Sequence, residues 1–240
     1  MAARAREMPV IPAELEKQVA SLGREMPGAL AVFDADGTLW RDDVGEAFLQ
    51  HLIDIRWIKF PDGSGPYAAY ERLVDQDRAA GYAFAAQLLA GLEVARVAEE
   101  ADRFASEWVP PRLVAAAQAL KALCISAGLK PFVVSASAQP IVRAAVPLAG
   151  FRRDLSRGIE VTVRDGFYTA HVNEPVTYAE GKVAAAQFAG RVALACGDSF
   201  TGDLALLGVA QLPVVVAPAA GSPLADEAHR RGWFVLSQDG

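Results

Sequence analysis

Five short apolar runs recur along the chain, and each has the length of a β-strand. They are ALAVF (29–33), PFVVS (131–135), VALAC (192–196), PVVVA (213–217) and WFVL (233–236). Near-continuous apolar strands of this kind are typical of a parallel sheet that helices cover on both faces. The stretches between the runs have helical patterns, so the pattern predicts an α/β fold with a parallel sheet as its core.

The first two runs are separated by roughly a hundred residues, far more than one crossover helix needs. In VGEAFLQHLIDIRWIKF, the residues Val44, Phe48, Leu52 and Ile55 form one stripe at helical spacing, which predicts an amphipathic helix. Turn residues in FPDGSGP (60–66) end it, and helical patterns resume over 71–78 and 93–108. We therefore expect an inserted all-helical cap over residues 44–108, and a core domain formed by residues 1–43 and 109–240.

A β-hairpin is predicted between the second and third strands. The stretch GIEVTVRDGFYTAHV (158–172) alternates apolar and polar residues on both sides of Asp165 and Gly166. Asp-Gly is a favoured pair for a two-residue hairpin turn.

Composition narrows the possible partners. The net charge is -6 and the sequence pI about 5.2, which gives no basic footprint for a nucleic-acid backbone. No apolar run reaches the length of a membrane span, and no apolar stretch follows Arg4 and Arg6 as it would in a signal peptide. We expect a cytoplasmic protein with a small-molecule partner, and without nucleic-acid or membrane partners.

Polar side chains lie at the ends of three predicted strands. The carboxyl ends of parallel strands meet at the same edge of a sheet. Asp34 and Asp36 follow the first strand, Ser135 closes the second, and Asp198 follows the third. Asp203 lies five residues beyond Asp198, and Lys182 begins a helical stretch just before the third strand. Ligands of open α/β sheets bind at the carboxyl ends of the strands, so we expect these groups to form one site.

A group of carboxylates with one hydroxyl and one lysine indicates phosphoryl transfer. Crowded carboxylates are stable around a hard cation, and Mg²⁺ is bound by one or two of them with waters and phosphate oxygens. Asp34 would attack phosphorus, and Asp36 would serve as the general acid and base. Mg²⁺, Ser135 and Lys182 would neutralise the phosphoryl oxygens.

The segments FDADGTLW, VVSAS, the GK of AEGK and ACGDSFTGD resemble, in order and spacing, the four motifs of the haloacid dehalogenase superfamily. The resemblance implies a Rossmann-like core and an aspartyl-phosphate mechanism. It also implies Mg²⁺ held by the Asp34 carboxylate, the Asp36 carbonyl and Asp198, with Asp203 in support. The implied phosphate-binding residues are Thr38, Ser135, Ala136 and Lys182.

The helical insertion resembles the C1-type cap of the phosphoserine phosphatase branch, but this chain departs from that branch. The segment FAAQLLAGLEV (84–94) contains no Arg or Lys where those enzymes usually have an arginine for the substrate carboxylate. Trp40 and the aromatic residues of the cap are similar to those of phosphocholine-type phosphatases, where aromatic faces hold a quaternary ammonium. Trp40, Asp43 and Glu46 are the candidate specificity residues.

The sequence thus predicts a Mg²⁺-dependent phosphomonoesterase for a small phosphorylated metabolite, either phosphoserine-like or an amino-alcohol phosphate. A phosphomutase of the same superfamily is one alternative. A phosphate-binding or phospho-acceptor regulatory domain is another, since signalling receivers also combine Asp, Ser or Thr, and Lys at strand ends. A dehalogenase is disfavoured because it needs neither the second acid nor a metal. The physiological substrate and the oligomeric state stay open.

Overall fold

The centre of the molecule is a six-stranded sheet in which all strands run parallel. The structure, a computed structural model, describes residues 11–58, 65–218 and 221–238. The sheet has the strand order β3-β2-β1-β6-β7-β8. Its strands are β1 (Leu30–Phe33), β2 (Lys130–Ala138), β3 (Ser156–Ile159), β6 (Val192–Gly197), β7 (Leu212–Ala217) and β8 (Phe234–Ser237).

Helices cover both faces of this sheet. In β1, Ala31 and Phe33 contribute to one hydrophobic cluster, whereas Leu30 and Val32 contribute to another, because successive side chains of a strand point to opposite faces. The described helices are α1 (Ala13–Glu25), α2 (Val44–Asp54), α3 (Pro66–Gln76), α4 (Arg78–Gln87), α5 (Val94–Trp108), α6 (Ala115–Ser126), α7 (Gln139–Ala145), α8 (Glu180–Ala189), α9 (Phe200–Val209) and α10 (Pro223–Arg231). This confirms the predicted α/β, Rossmann-like architecture.

Every helix in the described ranges is too short or too polar to cross a lipid bilayer.

All five predicted strands are present, but the sequence pattern missed β3. Its sequence, SRGI, contains an arginine and a glycine, so no apolar run marks it. It lies at the sheet edge, where Ser156 pairs with Val133 of β2. Residues 158–159, which the pattern assigned to the hairpin, therefore belong to the main sheet.

The predicted hairpin is confirmed as β4 (Val161–Arg164) and β5 (Phe167–Val172). Asp165 and Gly166 have φ angles of 52° and 84°, the left-handed conformation that a type I′ turn requires at both central positions.

The insertion is helical in its described part, since α2, α3, α4 and α5 fill it. Most of the predicted break, residues 60–64, lies outside the described residues. Buried side chains of the insertion, such as Phe48 and Val97, belong to the same hydrophobic cluster as Phe33 of the sheet. The insertion therefore packs directly on one face of the core, and its description as a separate domain over 44–108 stays a prediction.

Backbone hydrogen bonds also join the insertion to the hairpin. The Val94 N–H donates to the Gly166 carbonyl at 2.9 Å, and the Gly91 N–H donates to the Tyr168 carbonyl at 2.8 Å. The Tyr168 N–H donates in return to the Leu92 carbonyl at 3.0 Å. We call these three bonds the cap–hairpin junction; it extends the hairpin by a short stretch of the insertion.

Candidate active site

Three acids meet at the carboxyl ends of the central strands β1 and β6. Asp34 directly follows β1, and its backbone N–H donates to the Cys196 carbonyl of β6 at 2.8 Å. Asp198 follows β6, and Asp203 lies in the first turn of α9. One carboxylate oxygen from each of these three acids lies within 4.8 Å of the others. The parallel pairing of the two strands therefore brings residues distant in sequence into one cluster.

Lys182 lies inside this cluster. Its side chain is only 4% exposed, and its ammonium donates to Oδ1 of Asp34 and, at 2.6 Å, to Oδ1 of Asp203. Burial alone would lower the pKa of Lys182, but Asp203 and Asp34 raise it above its usual value. The lysine is therefore a permanent positive charge beside Asp34.

Asp203 is fully buried and uses both carboxylate oxygens. Oδ1 accepts from Lys182, while Oδ2 accepts from the backbone N–H groups of Asp198 and Ser199, at 3.1 and 2.9 Å. These contacts fix both the lysine and the loop that carries Asp198. The geometry fits a supporting role for Asp203, and its direct contact with a metal stays a prediction.

Asp198 is positioned from the β1 side by Thr38 and Gly37. The Thr38 hydroxyl donates to Oδ1 of Asp198 at 2.9 Å. Gly37 has a φ of +82°, and a Cβ at this position would lie 2.1 Å from Oδ2 of Asp198. Only glycine allows both the turn and this close approach. Thr38, predicted to bind phosphate, thus contacts a predicted metal ligand.

The cluster holds more negative than positive charge. Burial raises the pKa of Asp34 well above its usual value, and Asp203 adds to this effect while Lys182 opposes it. Burial and Asp203 likewise raise the pKa of Asp198 to about 7. A hard divalent cation would relieve this excess, and the convergent carboxylate oxygens are ligands that Mg²⁺ prefers. The residues present therefore fit a magnesium ion.

Asp36 lies apart from the three clustered acids and accepts four hydrogen bonds. Oδ1 accepts from Nε1 of Trp40 at 2.8 Å and from the backbone N–H of Val44 at 2.7 Å. Oδ2 accepts from the hydroxyls of Ser137 at 2.8 Å and Ser135 at 3.1 Å. Because Val44 is the first residue of α2, Asp36 also accepts from a backbone N–H that has no partner within that helix.

The contacts of Asp36 place three candidate residues. Trp40 is fully buried within the hydrophobic core, so it reaches the site only through its indole N–H. Ser135 lies within β2 rather than at its end, because the strand continues to Ala138. Ser137 was missed by the sequence reasoning, although residues two apart on a strand share a face and the spacing from Ser135 could have found it.

A cavity lies between the insertion and the end of β2; we call it the cap cavity. The polar part of its wall includes Asp43, Glu46 and Ser137, and Ala136 also lines it. Asp43 is the N-cap of α2, and its Oδ1 accepts from the Glu46 N–H at 2.8 Å. Burial and the nearby Asp36 raise the pKa of Asp43 to about 8. Asp43 and Glu46, both predicted specificity residues, thus face one enclosed space.

Comparison with known proteins gives a family match. The model of the haloacid dehalogenase-like hydrolase family matches residues 31–208, a range that contains all four sequence motifs. No curated protein matches the chain by sequence.

Several solved structures share the fold. A protein from Bordetella pertussis Tohama I is 20% identical with a TM-score of 0.74, and the match covers 89% of this chain and 100% of that one. A HAD family hydrolase from Salmonella enterica serovar Typhi is 15% identical with a TM-score of 0.59, covering 94% and 77%. A phosphoserine phosphohydrolase-like protein from Francisella tularensis is 15% identical with a TM-score of 0.53, covering 79% and 87%.

Proposed function

Since this chain belongs to the haloacid dehalogenase-like hydrolase family, we propose that it is a Mg²⁺-dependent phosphomonoesterase acting through an aspartyl-phosphate intermediate. Its substrate would be a small phosphorylated metabolite, either phosphoserine-like or an amino-alcohol phosphate. The observation that carries the proposal is the division of the two motif acids: Asp34 contacts Lys182 within the acidic cluster, whereas Asp36 is held separately beside the cap cavity.

Asp34 is the proposed nucleophile. One carboxylate oxygen accepts from Lys182, and the other would attack phosphorus as the bond from phosphorus to the leaving oxygen breaks. Lys182 would stay close to the phosphoryl oxygens and neutralise part of their charge. When bound to Asp34, Asp198 and the Asp36 carbonyl, Mg²⁺ would supply Lewis-acid stabilisation of the same oxygens.

Asp36 is the proposed general acid and base. It would give its proton to the leaving oxygen, then take a proton from the water that hydrolyses the aspartyl phosphate and releases Asp34. The hydroxyls of Ser135 and Ser137 support both steps, because a hydroxyl can donate to a carboxylate or accept from a carboxylic acid. This arrangement favours turnover over a phospho-acceptor domain, which needs no second acid.

The test is hydrolysis of p-nitrophenyl phosphate with Mg²⁺ by the wild-type protein and two variants. Asp34→Asn removes the nucleophile, so we expect a loss of both p-nitrophenol and phosphate release by a factor of about 10³ or more. Asp36→Asn keeps the nucleophile. The p-nitrophenolate leaving group needs little acid assistance, so the first step should still occur. We therefore expect one equivalent of p-nitrophenol to appear in a burst, followed by turnover slower by roughly 10²- to 10⁴-fold.

Wild-type protein that releases no phosphate from any ester would overturn the proposal. So would Asp34→Asn with full activity. A product in which phosphate has moved to a second position of the same substrate, without net release, would instead identify a phosphomutase.

A further inference from the structure

The cap cavity lies where a leaving group would lie. Ser137 lines it and donates to Asp36, the proposed acid. Gly45 of α2 forms the facing wall, and a Cβ on Gly45 would lie 2.3 Å from Oγ of Ser137. The insertion and the end of β2 are therefore in close contact, and Ser137 links the cavity to Asp36, which would protonate the leaving oxygen.

The described residues that line this cavity include two acids and no Lys, Arg or His. The two acids are Asp43 and Glu46. The Tyr67 hydroxyl donates to Oε1 of Glu46 and fixes that carboxylate. The remaining wall consists of tyrosines and apolar residues, namely Phe48, Leu49, Leu52, Ile58, Tyr70, Tyr82, Ala85, Leu89, Ala138 and Ile141, besides Ala136, Ser137 and Gly45.

This charge distribution discriminates between leaving groups. An ammonium group would pair with the Glu46 carboxylate and favour the ionised form of Asp43 in a partly desolvated space, where such pairing is stronger than in water. A carboxylate on the leaving group would face the acids Asp43 and Glu46 without a described cation in the wall, and like-charge contacts of this kind reject a ligand. Burial and the nearby Asp36 raise the pKa of Asp43 to about 8, so Asp43 would ionise at neutral pH when a cation binds beside it.

The cavity is also small. It has a volume of about 30 Å³, which is room for about two water molecules. This size favours a short leaving group over a sugar ring or a nucleobase.

We propose that the cap cavity binds the ammonium end of a short amino-alcohol phosphate, and that this enzyme selects such esters over phosphoserine. The inference rests on the proposed phosphomonoesterase function and adds the class of leaving group. Glu46 is the specificity residue, because its carboxylate lies in the cavity and makes no contact with the acidic cluster.

The experiment compares kcat/KM for 2-aminoethyl phosphate, ethyl phosphate, phosphoserine, glucose 6-phosphate and p-nitrophenyl phosphate. We expect 2-aminoethyl phosphate to exceed both ethyl phosphate and phosphoserine by about tenfold or more, the ratio that one good ion pair gives. Glu46→Gln keeps an acceptor for Tyr67 but removes the charge, and should reduce the preference over ethyl phosphate by a similar factor. Asp75→Asn, which also replaces an acid by its amide but at an exposed position of α3, should leave the preference for 2-aminoethyl phosphate unchanged.

The outcomes separate the two proposals. If p-nitrophenyl phosphate is hydrolysed but phosphoserine or the sugar phosphate is preferred, the inference is wrong and the phosphatase function stands. An unchanged preference in Glu46→Gln would overturn it as well. If no ester is hydrolysed, including p-nitrophenyl phosphate, the proposed function fails and the inference fails with it.

Discussion

At the scale of single residues, Asp36 is the group on which the contacts of the site converge. Its four donors come from β2, from the loop after β1 and from the first turn of α2. The ring of Trp40 is buried in the core, and its side chain contacts Asp36 through the indole N–H. It is a positioning residue, which would act on the substrate only through the orientation of Asp36.

Replacing Trp40 by phenylalanine tests this role. Trp40→Phe keeps an aromatic ring in the core but removes the N–H that donates to Oδ1 of Asp36. An ordinary hydrogen bond contributes roughly 0.5–1.5 kcal/mol, so we expect kcat for an alkyl phosphate to fall by roughly three- to tenfold. The decrease should be smaller for p-nitrophenyl phosphate in the step that releases p-nitrophenol, because that leaving group needs little protonation.

Trp233→Phe is the matched control, since Trp233 packs on the opposite hydrophobic cluster. Equal losses of activity in both tryptophan variants would mean that Trp40 acts through general packing and not through Asp36.

The sequence predicted that the acids and the lysine would lie close together, because strand ends and residue spacing are visible in it, and the structure brings Asp34, Asp198, Asp203 and Lys182 into contact. It did not show the hydrogen bonds around Asp36, since these depend on how β2 and α2 approach each other. Trp40 illustrates the difference: its position beside the motif predicted a substrate contact, while packing turned its ring into the core and left only the N–H at the site.

At the scale of elements, the cap–hairpin junction is the feature that local sequence patterns could not predict. The Asp-Gly turn marks the hairpin itself, but its pairing with residues 91–94 brings together segments distant in the chain. The edge strand β3 was missed for a related reason: pairing with β2 stabilises it, and its own sequence has little strand character.

Val94→Pro tests whether the junction holds the insertion on the core. Val94 is the first residue of α5, where proline is tolerated because its missing N–H has no partner within the helix. The change therefore removes the bond to Gly166 and leaves the helix intact. We expect the Gly91 and Tyr168 amides to exchange hydrogen faster by roughly tenfold, which corresponds to about 1.4 kcal/mol of lost local stability.

Val94→Ala supplies the control for this measurement, because it shortens the side chain and keeps the N–H. Unchanged exchange at Gly91 and Tyr168 in the proline variant would show that the junction contributes nothing to holding the two parts together.

At the scale of the whole molecule, the acidic cluster links stability to the metal and to pH. The folded state raises the pKa of Asp198 to about 7, above the usual 3.9 or so of an aspartate. Without metal, the proton that Asp198 holds in the folded state stabilises the fold. This stabilisation is complete below the pKa of Asp198 in the unfolded chain and is lost as the pH rises through about 7. Mg²⁺ requires the deprotonated carboxylate, so its stabilising effect should increase over the same range.

Thermal unfolding with EDTA and with Mg²⁺ measures this link. At a magnesium concentration of about 100 times Kd, binding adds about 2.7 kcal/mol, or roughly 5–10 °C in Tm for a chain of this size. We expect that increase at pH 8, a smaller one at pH 6, and none with Asp198→Asn. A Tm that does not respond to Mg²⁺ at either pH would contradict the magnesium site.

The hydrogen bond from Val44 to Asp36 has a consequence for how such enzymes can be recombined. The proposed proton donor also accepts from the first backbone N–H of α2, so this hydrogen bond connects Asp36 to the first helix of the insertion. A chimera that exchanges the insertion at residue 44 would take the two partners of this hydrogen bond from different proteins. An exchange that keeps the whole segment 36–44 from a single parent would preserve the bond, so that the new insertion is still connected to the proposed proton donor.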